Sequence, residues 1–345
     1  MSDLRFTGDE MEGGAKLLAS ARARLCAAAA DLALPHSLRL TEWQRTTLQV
    51  LLAGLVRAVE DELRAALAQM AAEDALHAAL SSAHVEIAMP VLAGQPALAE
   101  PGLIAILLRR VEEHRLHRAA GADNILLIEL AGDQDEDVAR EAMALLIAQN
   151  GRLDGFHDPV LPRGDLPAEI EHHLVWTVAA ALRRYMITRH AADPATCDAA
   201  LSAAAARLLC DHDEGETAQA RALRLAAALS AAERLEEEGL ALRALGEGSL
   251  PLFLAVAGLR AGVDADAAWD LFSAGNGEGA VLLLRAAGIT RAEAAGLLLA
   301  LGDDEETLGR SLDRFDVTPP EGARARLALW RADPAYRAAV GSLAA

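Results

Sequence analysis

The chain has 345 residues, and alanine (79) and leucine (59) together supply 138 of them, whereas aromatic residues make up only 3%. Alanine and leucine favour helices, and strands are rich in β-branched and aromatic residues, so a sheet protein is excluded and an all-α fold is predicted. Hydrophobic residues at 53% exclude a disordered chain. The length exceeds a typical single domain of about 100–150 residues, which indicates two domains or a repeat array.

The formal net charge is −19, and acidic residues are spread over both halves of the chain. Nucleic-acid-binding proteins need clustered cations to displace the counterions of the phosphates, so no nucleic-acid partner is expected. Three cysteines, an odd number, argue against a disulfide framework and favour a reducing compartment. The sequence shows neither a secretory signal nor an apolar run long enough for a membrane span, so a cytoplasmic location is expected.

Helical periodicity dominates the first 150 residues. Apolar residues recur every three or four positions from Thr41 to Met70, and Thr41 with Gln44 forms a capping box at the start of this helix. Shorter helices are predicted at 73–81, 85–93, 101–118, 124–131 and 136–149. Helices of this length are marginal alone in water, so a HEAT-like array of stacked helix pairs is expected up to about residue 150.

Residues 151–167 break the helical pattern with three glycines and three prolines. This composition predicts an extended connector between a repeat domain at 1–150 and a second helical domain at 168–345. A long helix is predicted to follow the connector and to end near Arg189. Further helices are predicted at 195–210, 216–229, 231–245, 250–261, 265–273, 279–287, 291–301, 304–315 and 320–332.

The segment 126–146 resembles a single HEAT unit. An apolar first helix is followed by an acidic turn and by a second helix that begins with Val138 and Arg140. The acidic turn has a physical reason, because carboxylates there cap free amides and meet the positive end of the helix dipole. Arg140 is then expected to pair with the acidic turn of a neighbouring repeat.

Several runs along the chain extend this resemblance to a family. They are Ile87-Ala88-Met89-Pro90-Val91-Leu92, 113–118, 165–183, 249–253, 277–280 and 285–288. Together they resemble an uncharacterised bacterial family of HEAT-like proteins, known from alphaproteobacteria as a domain of unknown function. The resemblance implies a helical-repeat fold and a bacterial cytoplasmic setting, and it transfers no site residues.

The helix predicted at 101–118 gathers a basic cluster in an otherwise acidic chain. Its candidate binding residues are Arg109, Arg110, His114, Arg115, His117 and Arg118. Such a cluster is suited to an acidic segment of a protein partner or to a phosphate-bearing small molecule. The alternative interpretation is a solvated helix face, in which Glu112 and Glu113 neutralise half of the cluster.

Other combinations of reactive residue types lack the spacing that their chemistry requires. Glu169 and His172 have the Glu-x-x-His spacing of di-iron bundles, but the sequence has no second copy. The residues Cys197, Cys210, Asp211, His212 and Asp213 lack the tight ligand pairs of zinc sites, and the glycine-rich segment 275–279 lacks the P-loop pattern. No metal, no cofactor and no enzymatic activity are therefore predicted.

The four tryptophans are expected either in the core or as anchors on a partner-binding surface: Trp43, Trp176, Trp269 and Trp330. The predicted function is that of a non-enzymatic scaffold or regulatory adaptor that binds a protein partner through a helical-repeat surface. The alternative is a regulator that binds a small anionic or phosphate-bearing ligand between helices. The sequence predicts no particular oligomeric state.

Overall fold

A computed structural model describes residues 40–70, 86–93, 95–120, 124–273, 277–300 and 305–344. Within these residues, 79% lie in helices, and the elements are sixteen α-helices with four short 3₁₀ helices and no strand. The predicted all-α fold is therefore confirmed. The helix predicted at 73–81 lies outside the described residues.

The α-helices are numbered here in chain order. They are α1 (Glu42–Met70), α2 (Ala88–Leu92), α3 (Pro101–Ala120), α4 (Ile125–Ala131), α5 (Glu136–Asn150), α6 (Ala168–His190), α7 (Pro194–Cys210), α8 (Ala218–Ala231), α9 (Leu240–Gly246), α10 (Leu250–Ala261), α11 (Ala265–Ser273), α12 (Glu278–Ala286), α13 (Arg291–Ala300), α14 (Glu305–Val317), α15 (Pro320–Arg326) and α16 (Pro334–Ala344).

The described residues form two compact units. Unit A contains the described residues of 112–147 and 218–344, and unit B contains those of 40–111 and 148–217. Each unit thus takes residues from both sides of the stretch 151–167. The sequence predicts a single boundary with one domain on each side of it, whereas each unit combines two separate segments. Independent folding of 1–150 and 168–345 stays a prediction.

Unit B is built on the long helix α1, which packs against α6 and α7. The stripe of Leu55, Val59 and Leu63 on α1 is fully buried, as its spacing of four residues predicts. Glu60 lies beside this stripe and is also buried, because its carboxylate accepts hydrogen bonds from the amides of Ile87 (3.1 Å) and Ala88 (2.8 Å) at the start of α2. A glutamate of α1 therefore caps a helix that is distant in the sequence.

Unit A is organised around α10, which contacts α8, α9, α11 and α12. Nine consecutive residues of α10, from Leu250 to Gly258, are buried. A helix that is apolar on every side has to be central, since no face of it can meet water favourably. At Gly258 an added Cβ would lie 2.9 Å from the carbonyl oxygen of Val263, so glycine permits the tight turn into α11.

The prediction that the stretch 151–167 is extended is wrong, because the chain turns back on itself there: the Asp154 amide donates to the Asp158 carbonyl oxygen (3.0 Å) and the Val160 amide to the Arg152 carbonyl oxygen (2.8 Å). The stretch also contains a short 3₁₀ turn and belongs to unit B. Leu161 and Leu166 are fully buried. Arg152 is also buried and pairs with Asp165, with 2.6 Å between its Nε and the carboxylate Oδ2. The glycine and proline content correctly predicts the lack of helix, whereas the anchoring side chains between them hold the stretch in place.

In the second half, two predicted helices have other bounds in the structure, and one helix was not predicted. The helix predicted at 231–245 is wrong over 232–239, where the chain turns before α9 begins. Glu233 (φ 57°) and Gly239 (φ 82°) have left-handed conformations in this turn, which a helix cannot accommodate. The helix predicted at 320–332 ends at Arg326, and α16 was not predicted.

Candidate functional site

The predicted basic cluster lies on α3, but its side chains do not share one exposed surface. Arg110 and His114 are each only 3% exposed. Arg110 donates hydrogen bonds to the carbonyl oxygens of Val160 (3.0 Å) and Arg152, both in the stretch 151–167. The guanidinium of Arg110 is therefore engaged in holding that stretch, because buried carbonyl groups need donors.

The other members of the cluster are divided between contacts and solvent. Arg115 donates to the carboxylate of Glu112 (Nε to Oε1, 2.9 Å) and to the carbonyl oxygen of Ala300 (3.2 Å). His117 is half-buried beside the turn at Gly248, where an added Cβ would lie 2.6 Å from the His117 Cα. Arg109 is half-buried and Arg118 is exposed. Arg118 is thus the one exposed member of the six, and binding of a partner by this cluster stays a prediction.

The helix pair α4 and α5 has the acidic turn that the HEAT-like pattern predicts. The Asp135 carboxylate accepts hydrogen bonds from the amides of Asp137 (2.9 Å) and Val138 (3.2 Å), so it caps the start of α5. The expectation for Arg140 is wrong: it pairs with Asp137 on its own helix (2.7 Å) and with Glu141 (3.3 Å). Residues three apart on one helix are neighbours on its surface, so Arg140 reaches Asp137 without a contact to another repeat.

Distant residues of unit A fix the orientation of this helix pair. Glu141 of α5 pairs with Arg224 (3.2 Å) and Arg221 (3.9 Å) of α8. The Glu247 carboxylate accepts a hydrogen bond from the amide of Leu126 and thereby caps α4. The surface that α4 and α5 present is consequently preorganised.

Both helices carry large apolar side chains that remain in contact with solvent. The exposed fractions are 49% for Ile125, 56% for Ile128, 46% for Met143 and 64% for Ile147. The residues lie at i, i+3 on α4 and at i, i+4 on α5, so each helix presents an apolar pair on its outward face. Sequence reasoning missed them, although apolar residues that lie off the buried stripe are a signal that could have found them.

A cleft lies between α4 and the turn that precedes α9. Its charged lining consists of four acidic and two basic side chains: Glu129, Asp133, Glu237, Glu238, Arg234 and Arg243. Both arginines are paired with carboxylates of the lining. Arg234 binds Asp133 and Glu237 (2.7 Å), and Arg243 binds Glu129 (2.7 Å) and also Glu247 beyond the cleft (3.3 Å).

These contacts fix the ionisation of the cleft. The hydrogen bond from the Asp135 amide, together with Arg234, holds the pKa of Asp133 below its ordinary value. The side-chain hydrogen bonds of Arg234 to Glu237 and Asp133 raise the pKa of its guanidinium. The cleft therefore stays negatively charged at neutral pH, which favours cationic rather than anionic ligands.

The turn 234–239 that forms one wall of the cleft is supported from behind by buried charges. Arg260 donates to the carbonyl oxygens of Leu235 (2.7 Å) and Glu237 (3.0 Å), and burial lowers the pKa of its guanidinium. Glu293 accepts from the amides of Gly239 and Thr290 (3.0 Å) and from the Thr290 hydroxyl (2.8 Å). Burial alone would raise the pKa of Glu293, but these hydrogen bonds outweigh burial and lower it.

A pH dependence of stability follows from Glu293. Its pKa is lower in the folded than in the unfolded chain, so its contribution is complete above the unfolded pKa of about 4.3 and is lost as the pH falls through the folded pKa. We expect Glu293→Gln to lower the free energy of unfolding by about 1.5–3 kcal/mol at pH 7. In urea titrations the difference from the wild type should stay constant from pH 7 down to about pH 5 and narrow only below about pH 4.3, whereas the exposed Glu305→Gln should have little effect across this range.

Unit B contains a buried charged cluster that sequence reasoning also missed. Glu171 of α6 is 1% exposed and pairs with Arg163, whose Nε also binds Glu62 (2.8 Å). The imidazole of His212 is 5% exposed, with its Nδ1 3.1 Å from Glu171 Oε2. The cluster ties the stretch 151–167 and the end of α7 to α6, so we assign it to stability.

The other sequence candidates remain separate. Glu169 and His172 are exposed on α6, where the His172 Nε2 accepts a hydrogen bond from the Trp176 indole (3.1 Å). Cys197 is buried and Cys210 is exposed. Across the described residues, histidine, cysteine, aspartate and glutamate side chains form no group of three or more that could hold a metal.

The tryptophans are divided between core and surface. Trp269 and Trp330 are buried, Trp43 is half-buried, and Trp176 is 36% exposed. The glycine-rich segment 275–279 begins outside the described residues. None of the helices in the described ranges combines the length and hydrophobicity that a membrane span requires.

Comparison with known proteins places most of the chain in one family. A family model described as an uncharacterised protein conserved in bacteria (DUF2336) matches residues 87–323. The match includes both helices of the α4–α5 pair and the turn 234–239. Neither the curated proteins nor the solved structures contain a match to the chain.

Proposed function

This chain belongs to the bacterial family DUF2336, and on that premise we propose that it is a non-enzymatic scaffold or regulatory adaptor that binds a protein partner. The observation that carries the proposal is the exposure of Ile125, Ile128, Met143 and Ile147 on one helix pair. Single exposed apolar residues are ordinary on soluble proteins, but pairs of them on two consecutive helices favour an interaction surface.

Two further features support an adaptor. The order of a helix, an acidic turn and a second helix in α4 and α5 is that of a HEAT unit, and repeat proteins of that kind commonly bind partners through their helix pairs. Contacts from Glu141 and Glu247 fix the pair in advance, which reduces the entropy lost on binding. An alphaproteobacterial source and a cytoplasmic location belong to the same proposal and are supported by the sequence alone.

The alternative of a small anionic ligand between helices has less support. The cleft beside α4 is lined by four carboxylates, and its two arginines are already paired with them. An anion there would have to displace those carboxylates and meet the rest at close range. We therefore propose the protein-binding function alone.

Affinity capture with a single surface variant tests the adaptor proposal. We expect the wild-type chain to capture a stoichiometric partner from a lysate of its own bacterium, and Ile128→Glu to lose at least about 90% of it, because a buried charge replaces an apolar anchor. The matched control is Leu299→Glu, which alters a residue of α13 that is 61% exposed in the same unit. Circular dichroism should show unchanged helix content in both variants.

The adaptor proposal would be contradicted if the wild-type chain captures no partner that Ile128→Glu fails to capture. It would equally be contradicted if Leu299→Glu loses the partner to the same extent, since the loss would then reflect any added charge on unit A. Met143→Glu and Ile147→Glu provide the same measurement on α5, and loss of the partner in either of them supports the proposal independently of α4.

A further inference from the structure

The exposed apolar face of α4 is bordered by acidic side chains, and we infer that its occupant is a basic amphipathic helix of the protein partner. The inference rests on the proposed adaptor function and specifies the chemistry of the partner. Three properties of the surface favour such a helix: the apolar pair, the excess of carboxylates beside it, and the fixed turn that carries two of these carboxylates.

The apolar pair consists of two isoleucines of α4. Ile125 and Ile128 lie at i, i+3, so their side chains are neighbours on the outward face of α4. Glu129 follows Ile125 by one helical turn and lines the cleft, so the apolar pair and the acidic cleft share an edge. A ligand that covers the isoleucines therefore reaches the carboxylates with groups about one helical turn away, or about 5.4 Å.

The charge beside the apolar pair determines the sign of the charge that a ligand should carry. Carboxylates outnumber guanidinium groups in the cleft by four to two. Each arginine already has its own carboxylate partner, and Glu238 is exposed and has no ion pair within the described residues. Glu236, next to Glu237, is 72% exposed but lies 3.7 Å from Arg260, so it adds little to this excess. A lysine or arginine of the partner would compensate this excess negative charge.

The acidic turn is held in position before any ligand arrives. Arg260 binds its carbonyl oxygens from inside unit A, and Glu293 binds the amide of Gly239. Three backbone polar groups of the turn are thus bound from inside the unit, whereas Glu237 and Glu238 line the cleft. Fixed charges of one sign beside an apolar pair favour a ligand with the opposite charge at the same spacing.

Other occupants match the surface less well. A second copy of this chain would bring the same acidic border against itself in a symmetric dimer, in which identical patches face each other. A nucleic acid has the same sign of charge as the border. A basic amphipathic helix provides apolar anchors at i, i+3 or i+4 and cations on its flanks, which is the arrangement that the isoleucines and carboxylates complement.

A synthetic peptide gives a direct test on the full chain. The probe is an 18-residue fluorescent helix with leucine at i, i+3, i+4 and i+7 and lysine elsewhere, and its control has glutamate in place of every lysine. In fluorescence anisotropy at 50 mM NaCl we expect the lysine peptide to bind and the glutamate peptide not to bind. Ile128→Glu should weaken binding more than about tenfold and Glu237→Gln/Glu238→Gln about three- to tenfold.

A matched pair of glutamates separates this surface from the general acidity of the chain. Glu305→Gln/Glu306→Gln neutralises two adjacent exposed glutamates of α14 in the same unit and should change binding less than about twofold. Raising NaCl from 50 to 300 mM should weaken wild-type binding more than that of Glu237→Gln/Glu238→Gln, because the variant has lost charges that salt screens.

Equal losses in the two double variants would overturn the inference, since the peptide would then respond to net charge alone. Concentration-dependent self-association that Ile128→Glu abolishes would also overturn it, because a second copy would then occupy the face. Failure of the adaptor proposal is read separately, from the capture experiment. If a partner is captured through Ile128 and its binding is unchanged by Glu237→Gln/Glu238→Gln, the adaptor proposal is supported and the inference of a basic helix is contradicted.

Discussion

Replacing Glu171 with alanine is expected to lower the free energy of unfolding by about 3–5 kcal/mol. Glu171 is 1% exposed, and its carboxylate is the shared partner of Arg163 and of the buried imidazole of His212. Removing it leaves the guanidinium of Arg163, itself largely buried, with only the more exposed Glu62 as a counter-charge, so the burial of its charge is poorly compensated. The loss should appear as a lower urea midpoint in circular dichroism at 222 nm.

The neighbouring Glu169 provides the control for this prediction. It lies two residues earlier on α6, in the same first turn, but it is exposed. Glu169→Ala should therefore cost less than about 1 kcal/mol, which is the scale of a carboxylate at a helix N-terminus. Similar losses for Glu169→Ala and Glu171→Ala would show that the buried cluster adds nothing beyond the helix dipole.

Replacing Phe253 with alanine is expected to destabilise the chain by about 3–5 kcal/mol, through the loss of apolar contacts and the cavity that remains. Phe253 is fully buried in α10, and its ring centre lies 4.8 Å from that of Phe272 on α11 at an angle of 54°. Because aromatic residues make up only 3% of the chain, the space left by the ring would have to be filled by smaller side chains such as alanine and leucine, which are poorly suited to it.

Leu259 is the matched position on the same helix. Its side chain is 43% exposed, so Leu259→Ala should lower the free energy of unfolding by less than about 1 kcal/mol. Both variants are compared with the wild type by urea titration followed at 222 nm. If Phe253→Ala were as stable as Leu259→Ala, α10 would not be the centre of unit A.

Local features of the structure were predictable because neighbouring residues suffice to form them. The capping box at the start of α1 is confirmed: the Thr41 amide donates to Gln44 Oε1 and the Gln44 amide to Thr41 Oγ1, both at 3.2 Å. The acidic turn before α5 is confirmed in the same way through Asp135. These contacts span three residues, so their entropic cost is small and their residue pattern is specific.

The candidate site was only partly predictable, because burial of a charged side chain depends on distant groups. Arg110 resembles the other cations of α3 in the sequence, yet its guanidinium is buried against carbonyl oxygens about 40 to 50 residues away. Glu237 and Glu238 belong to an acidic run in the sequence, but a continuous helix was predicted over 231–245, so the turn that carries them was missed.

The sequence by itself determined the all-α class, the helices around α10, the local caps and the lack of helix in 151–167, because these depend on propensity, periodicity and short-range hydrogen bonds. Only the tertiary structure decided which glutamates cap distant helices. Glu60, Glu214 and Glu247 accept hydrogen bonds from the starts of α2, α6 and α4, at separations of 27, 46 and 121 residues. A glutamate that caps a distant amide has the same local sequence as a solvated one, and only the packing of the chain brings donor and acceptor together.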